Sequence, residues 1–225
     1  SKRFIATVIA HELSHQWFGN LVTMQWWNDL WLNESFANMM EYVAVDALHP
    51  EWRMWEDFAT NEVTAALRRD SLDGVQSVQT DVNHPDEIST LFDPAIVYAK
   101  GGRLLVMVRR LIGEEAFRAG LKAYFEKFAY QNTVGNDLWQ ELETASSQPI
   151  INLMNTWISQ PGLPIVQVEQ NNSDDKSTAT LRQERFFIGD HQSSDALWPI
   201  PLFANQPLDD EILTEREKTF SIEKP

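Results

Sequence analysis

The chain has 225 residues, 43% hydrophobic and 11% aromatic, enough apolar material for one large domain or a domain and a half, which excludes wholesale disorder. Its 18 Lys and Arg against 33 Asp and Glu leave a formal net charge of −15, which argues against nucleic acid as a partner. The absence of cysteine excludes disulfides, thiolate nucleophiles and Cys-ligated metals and fits the cytoplasm, while no apolar run reaches the roughly 20 residues that cross a bilayer.

Ser1-Lys2-Arg3-Phe4 leads directly into a helical pattern rather than a signal-peptide pattern, and both ends of the chain read as cut rather than natural. Phe4, Ile5, Val8, Ile9 and Leu13 follow the three-and-four spacing of a helix, and Gly19-Asn20 is its stop signal. A second helix is expected from Leu32 to Leu48, ended by His49-Pro50, and helical patterning continues over Glu51 to Leu67. Gly74 to Pro94 reads as a long connection. Helices are expected again over Ile96 to Ile112, closed by Gly113, and over Glu114 to Phe128. Asn136-Asp137 is expected to cap a helix ending near Ser146, and Pro149 to Ser159 is the last helix, stopped by Gln160-Pro161-Gly162.

Beyond Pro164 the patterning becomes that of short strands: Ile165 to Val168, Ser177 to Phe187, Trp198 to Phe203 and Lys218 to Ile222. Asn171-Asn172-Ser173-Asp174-Asp175 reads as a turn between the first two. The expected fold class is therefore mainly α with a β C-terminal part, divided into domains at residues 1–160 and 161–225. Four or five strands are fewer than the roughly seven of a complete sandwich, so the second domain is expected to be truncated.

The chemistry concentrates in Ala10-His11-Glu12-Leu13-Ser14-His15. Residues four apart on a helix share a face, so His11 and His15 can present two imidazole nitrogens to one metal ion. Glu12 flanks that face and can reach a metal-bound water as general base without being a ligand. Glu34 opens the next helix, and the Gly19-Asn20 break lets that helix fold back antiparallel and deliver a third ligand. Two imidazoles and one carboxylate suit Zn²⁺ and leave a fourth position open, which is the design of a catalytic rather than a structural site.

Glu41, seven residues after Glu34, is placed to accept the outer N–H of a ligating histidine, and Asn38 lies on the same stripe. Trp17, Phe18, Trp26, Trp27, Trp31 and Phe36 are expected mostly in the core, packing the two helices together. His49 and His84 have no partners at ligand spacing and are read as ordinary surface or core histidines.

The run His11-Glu12-Leu13-Ser14-His15-Gln16-Trp17-Phe18-Gly19-Asn20-Leu21-Val22-Thr23, with Trp26-Trp27-Asn28-Asp29-Leu30-Trp31-Leu32-Asn33-Glu34-Ser35-Phe36-Ala37 and Phe92 to Gly102, resembles the aminopeptidase N family of gluzincin zinc peptidases. The metzincin pattern fails, because Phe18 and Leu21 stand where it needs Gly and a third His. The resemblance implies the helical half of a thermolysin-like zinc peptidase domain followed by a truncated β-sandwich, which Trp198-Pro199-Ile200-Pro201-Leu202 resembles. It further implies one Zn²⁺ held by His11, His15 and Glu34, Glu12 as base, and Tyr98 as the donor that stabilises the oxyanion. The implied substrates are peptides with a free N-terminus, with neither nucleic acid nor membrane as partner. The family's Gly-Ala-Met-Glu-Asn motif, which binds the substrate amine, does not occur in this chain.

Two alternatives stand beside the aminopeptidase reading. One branch of the family opens lipid epoxides on the same zinc site, and a shared site does not choose between chemistries. The other alternative is an inactive folded fragment without bound zinc, for which open sandwich edges and uncovered apolar surface favour self-association.

Overall fold

The expected apolar spacing does produce a first helix, α1 (Lys2–Ser14), in the computed structural model, which describes residues 1–172, 177–208 and 210–223. The architecture is mainly α with a β C-terminal part. Contacts divide the chain into two compact units, one of Ser1–Asp70 with Val75–Pro161, the other of Ser71–Gly74 with Gly162–Pro225. Among the described residues no helix is long and apolar enough to cross a membrane.

In the first unit α1 is followed by the short strand β1 (Thr23–Met24), a 3-10 turn at Trp27–Asp29 and α2 (Trp31–Leu48). His49-Pro50 ends α2 as expected, and Pro50–Trp52 forms a 3-10 turn. The helix expected over Glu51 to Leu67 is broken at Arg53, whose left-handed backbone (φ 54°, ψ 51°) resets the chain direction. It then runs as α3 (Met54–Asp57), a π-wound segment (Phe58–Val63) and α4 (Thr64–Asp70). The long connection holds a 3-10 turn at Pro85–Glu87 and one turn of helix, α5 (Ile88–Leu91). A second π-wound segment, Pro94–Lys100, leads into α6 (Gly101–Ile112), and α7 (Glu114–Phe128) follows. β2 (Asn132–Thr133), not expected from the sequence, pairs in parallel with β1. The unit ends with α8 (Gly135–Ser146) and α9 (Ile150–Ser159).

The start of α8 differs from expectation for a tertiary reason. Asp137 is not the cap but reaches back to accept the Val134 N–H at 2.9 Å. The buried Asp29 carboxylate accepts the Gly135 N–H at 3.3 Å, so a residue 106 positions earlier supplies what a local cap would have given.

The aromatic residues divide. Phe18, Trp31 and Phe36 are buried, with Phe18 and Phe36 stacked at 4.3 Å between centroids and Trp31 stacked on Trp139 at 4.8 Å. Trp17 and Trp26 are about half exposed, contrary to the expected core role. Trp26 sends its indole N–H to the Val82 carbonyl at 2.9 Å, and its ring faces outward. The apolar stripe of α1 also faces outward, Phe4, Ile5, Val8, Ile9 and Leu13 being 42–68% exposed. The face that meets the rest of the unit carries the small Ala6 and Ala10, which pack against Tyr42, Val45, Met54 and Phe58.

In the second unit β3 (Leu163–Asn172) pairs antiparallel with β4 (Ser177–Phe186), from Leu163 opposite Phe186 to Asn172 opposite Ser177. Asn171 and Asn172, expected in a turn, end β3, and Ser173, Asp174 and Asp175 lie outside the described residues. The strand expected over Trp198 to Phe203 contracts to β5 (Ile200–Pro201), because Pro199 and Pro201 offer no N–H to a ladder. It pairs with β6 (Ile212–Leu213), which the sequence did not signal, and β7 (Glu217–Ile222) completes a three-stranded sheet beside β4. Trp198, Leu213 and Phe220 form its core around the buried Gln183, whose carboxamide accepts the Trp198 N–H and donates to the Trp198 and Glu215 carbonyls.

Candidate metal centre

His11 lies on the last turn of α1 and His15 is the residue that caps it, and their rings meet edge to face with centroids 4.8 Å apart. The chain then turns at Gly19, whose φ of +130° a side-chain-bearing residue would not adopt readily. His15 faces Glu34, and His11 faces both Glu34 and Glu41, so α1 and α2 run antiparallel.

Glu34 Oε2 lies 3.3 Å from His11 Nε2 and 3.6 Å from His15 Nε2. Ligands held at about 2.0–2.1 Å by a tetrahedral ion are about 3.3–3.4 Å from one another, so these separations match the edges of such a coordination shell. The ligating atoms of His11, His15 and Glu34 all fall within 4.8 Å, and this is the one such group of three or more among the described residues. Two neutral nitrogens and a carboxylate oxygen thus fit a divalent metal both chemically and by spacing.

The histidines are oriented from behind. Glu41 Oε2 takes a hydrogen bond from His11 Nδ1 at 2.8 Å, as the helix stripe suggested, and His15 Nδ1 donates to the Phe18 carbonyl at 3.0 Å. Both rings therefore turn Nε2 towards Glu34. The Phe18 contact was missed, since a backbone acceptor carries no residue-type signal. Asn38 does not join the ligands: its Nδ2 donates to Glu62 at 3.5 Å.

The charges are strongly coupled. Burial disfavours the His11 imidazolium, but hydrogen bonds to Glu34 and then Glu41 outweigh it and raise its pKa to about 9. The His15 pKa is also raised, chiefly by its hydrogen bond to Glu34. Burial works against the Glu34 carboxylate, yet its bonds to His11 and His15 prevail and lower its pKa to about 2. Burial holds the Glu41 carboxyl above the usual range despite its bond from His11.

Of these groups His11 and Glu41 line a cleft of about 860 Å³, together with Glu12, Glu62, Phe92 and Tyr98, among others. Glu12 is exposed on α1 beside His11, on the cleft wall. The Tyr98 ring lies nearly parallel to that of His11 with centroids 6.0 Å apart. Burial, then the negative charge of the nearby Glu34, then that of Glu12, push the Tyr98 hydroxyl above its ordinary pKa, so it remains a donor. Glu62, on the first π-wound segment, was not singled out from the sequence; burial raises its pKa, and nothing in its surrounding residues marks it. His49 and His84 stand apart, His49 stacked on Trp52 and His84 capping the turn at Pro85–Glu87.

Two histidines one helical turn apart and a carboxylate from the following helix form the donor set of the metallopeptidases. The chain belongs to peptidase family M1: its residues 1–157 match the Peptidase family M1 domain. It is 59% identical over 206 residues to an Aminopeptidase N of Lactococcus lactis subsp. lactis, across 91% of this chain and 24% of that protein. It is 56% identical over 204 residues to the Aminopeptidase N of Lactobacillus delbrueckii subsp. lactis, across 91% and 24%. To the Tricorn protease-interacting factor F2 of Thermoplasma volcanium it is 45% identical over 201 residues, across 89% and 25%. The chain spans about a quarter of the length of the curated relatives it matches.

Proposed function

We propose that this chain carries the zinc centre of a cytoplasmic metallo-aminopeptidase that removes the N-terminal residue of peptides. In this reading residues 1–160 are the helical part of the catalytic domain and residues 161–225 part of a β-sandwich. The convergence of His11, His15 and Glu34, with both imidazoles at near-tetrahedral separations from Glu34, carries the proposal, and the names of the Aminopeptidase N relatives support the substrate class.

His11, His15 and Glu34 would hold the ion, which when bound supplies Lewis acidity to water and to the scissile carbonyl. Glu12 takes the proton from the attacking water and delivers it to the departing amine. Its exposure on the cleft wall leaves it free to move between the two sites of proton transfer. Tyr98, kept protonated by its surroundings, donates a hydrogen bond to the oxyanion, a contact worth about 3 kcal/mol in other enzymes. Glu41 and the Phe18 carbonyl hold the two imidazoles with Nε2 inward throughout.

The test is Glu12→Gln in the full chain. Metal content should remain at one ion per chain, while turnover of an aminoacyl anilide falls by about 10²–10⁴. Retained turnover would remove Glu12 as the base, and loss of the metal would make it a ligand.

A further inference from the structure

Tyr98 is carried on a helix wound unusually wide. The π-wound segment Pro94–Lys100 is pinned at three points. At its start Asp93 accepts the Ala95 N–H at 3.0 Å and pairs with Arg69 at 2.8 Å. At its end Lys100 Nζ meets Asp70 at 2.8 Å, with both side chains less than one-tenth exposed. Arg69 and Asp70 are neighbours on α4, so these two contacts fix the segment to that helix alone. The third contact comes from α2: Ser35 Oγ donates to the Val97 carbonyl at 2.5 Å, fully buried.

Ser35 is the residue after Glu34, and the Val97 carbonyl belongs to the peptide unit that leads into Tyr98. Around this bond the Ser35 and Asn38 side chains of α2 lie directly against the backbone of Gly101 and Gly102. A Cβ at Gly101 would fall on Ser35 Oγ and lie 2.8 Å from Ser35 Cβ, and one at Gly102 would lie 2.5 Å from Asn38 Oδ1. The glycine pair therefore lets the backbone of α6 approach α2 closely, and the Ser35 hydroxyl occupies the space a side chain at Gly101 would take.

We infer that Ser35 is a positioning residue, its bond to the Val97 carbonyl setting the place of the Tyr98 hydroxyl relative to Glu34. The inference rests on the peptidase reading above, in which Tyr98 serves the oxyanion. Without the bond the Val97–Tyr98 peptide plane loses its tie to the ligand-bearing helix. Misplacement of a reacting group by about 1 Å costs up to about a hundredfold in rate.

The experiment is a double-mutant cycle in the full chain, comparing Ser35→Ala, Tyr98→Phe and the pair on an aminoacyl anilide. Ser35→Ala should lower kcat at least about tenfold with KM nearly unchanged and metal content still one ion per chain. It should weaken a tetrahedral phosphinic pseudopeptide by a similar factor, and in the Tyr98→Phe background it should cost nothing further. Ser35→Cys, which fills the space but is only a weak donor, provides the same cycle if Ser35→Ala does not fold. An equal loss in both backgrounds, or none in either, overturns the positioning role and leaves the peptidase reading standing. If Tyr98→Phe is as active as the wild type, the oxyanion role of Tyr98 falls and this inference falls with it.

Discussion

His11 is held between two carboxylates, its Nδ1 2.8 Å from Glu41 and its Nε2 3.3 Å from Glu34. The first contact fixes which nitrogen carries the proton, and the second shows where the lone pair is needed.

Glu41→Ala should therefore weaken metal binding without removing a ligand. The ring of His11 would be free to turn, and the expected loss of affinity is about 10–100-fold. Chelator competition measures it directly. An unchanged affinity would mean that packing alone orients the imidazole.

Metal uptake should release protons at neutral pH. With its pKa raised to about 9, His11 is protonated at pH 7 in the metal-free chain and must lose that proton to bind. Calorimetry in two buffers of different ionisation enthalpy should show at least one proton released at pH 7. The same shift bears on stability. A raised His11 pKa stabilises the metal-free fold fully below about 6.5, its unfolded value, and that contribution is lost as pH rises through about 9. The lowered Glu34 pKa acts at the other end, its contribution present above 4.5 and lost as pH falls towards about 2. The metal-free chain should accordingly be less stable at pH 10 than at pH 6. A metal titration at pH 7 with no proton release would contradict the charge state assigned to His11.

The site is more legible in the sequence than the framework that holds it. His11, His15, Glu12 and Glu41 could be placed because helix spacing converts sequence distance directly into a shared face. Glu34 followed from the turn at Gly19-Asn20. By contrast, Ser35, Phe18 and Asp29 act through partners 62, 3 and 106 positions away or through backbone atoms, and no periodicity encodes such contacts. The two π-wound segments were equally invisible, since an inserted residue in a helix leaves its apolar spacing only slightly displaced. In the C-terminal unit, β6 is two residues long and pairs through tertiary contact with β5, too short for alternation to show.

Asp29 is the clearest structural case. Only 1% exposed, it accepts from Trp31 Nε1 at 2.8 Å, Gln79 Nε2 at 2.7 Å and the Gly135 N–H at 3.3 Å. Asp29→Ala would leave three donors with no acceptor in the interior. The expected cost is about 3 kcal/mol or more. For a unit of this size that lowers Tm by roughly 6–12 °C. Asp29→Asn keeps one acceptor oxygen and should lose less. Equal losses for the two substitutions would indicate that packing volume, not hydrogen bonding, is what Asp29 supplies.

The buried pair of Lys100 and Asp70 should behave asymmetrically. The attraction between them offsets the desolvation of both charges, so the intact pair adds little net stability over an apolar substitute. Removing one partner is different, because the other charge stays in the interior. Lys100→Met should destabilise the fold by about 3–5 kcal/mol, whereas Lys100→Met combined with Asp70→Leu should recover much of that loss. Urea unfolding of the single and double variants decides the matter. If the double variant is as unstable as the single one, the pair is needed for the shape it gives the turn before Gly101, and charge compensation is not the reason the two residues are buried together.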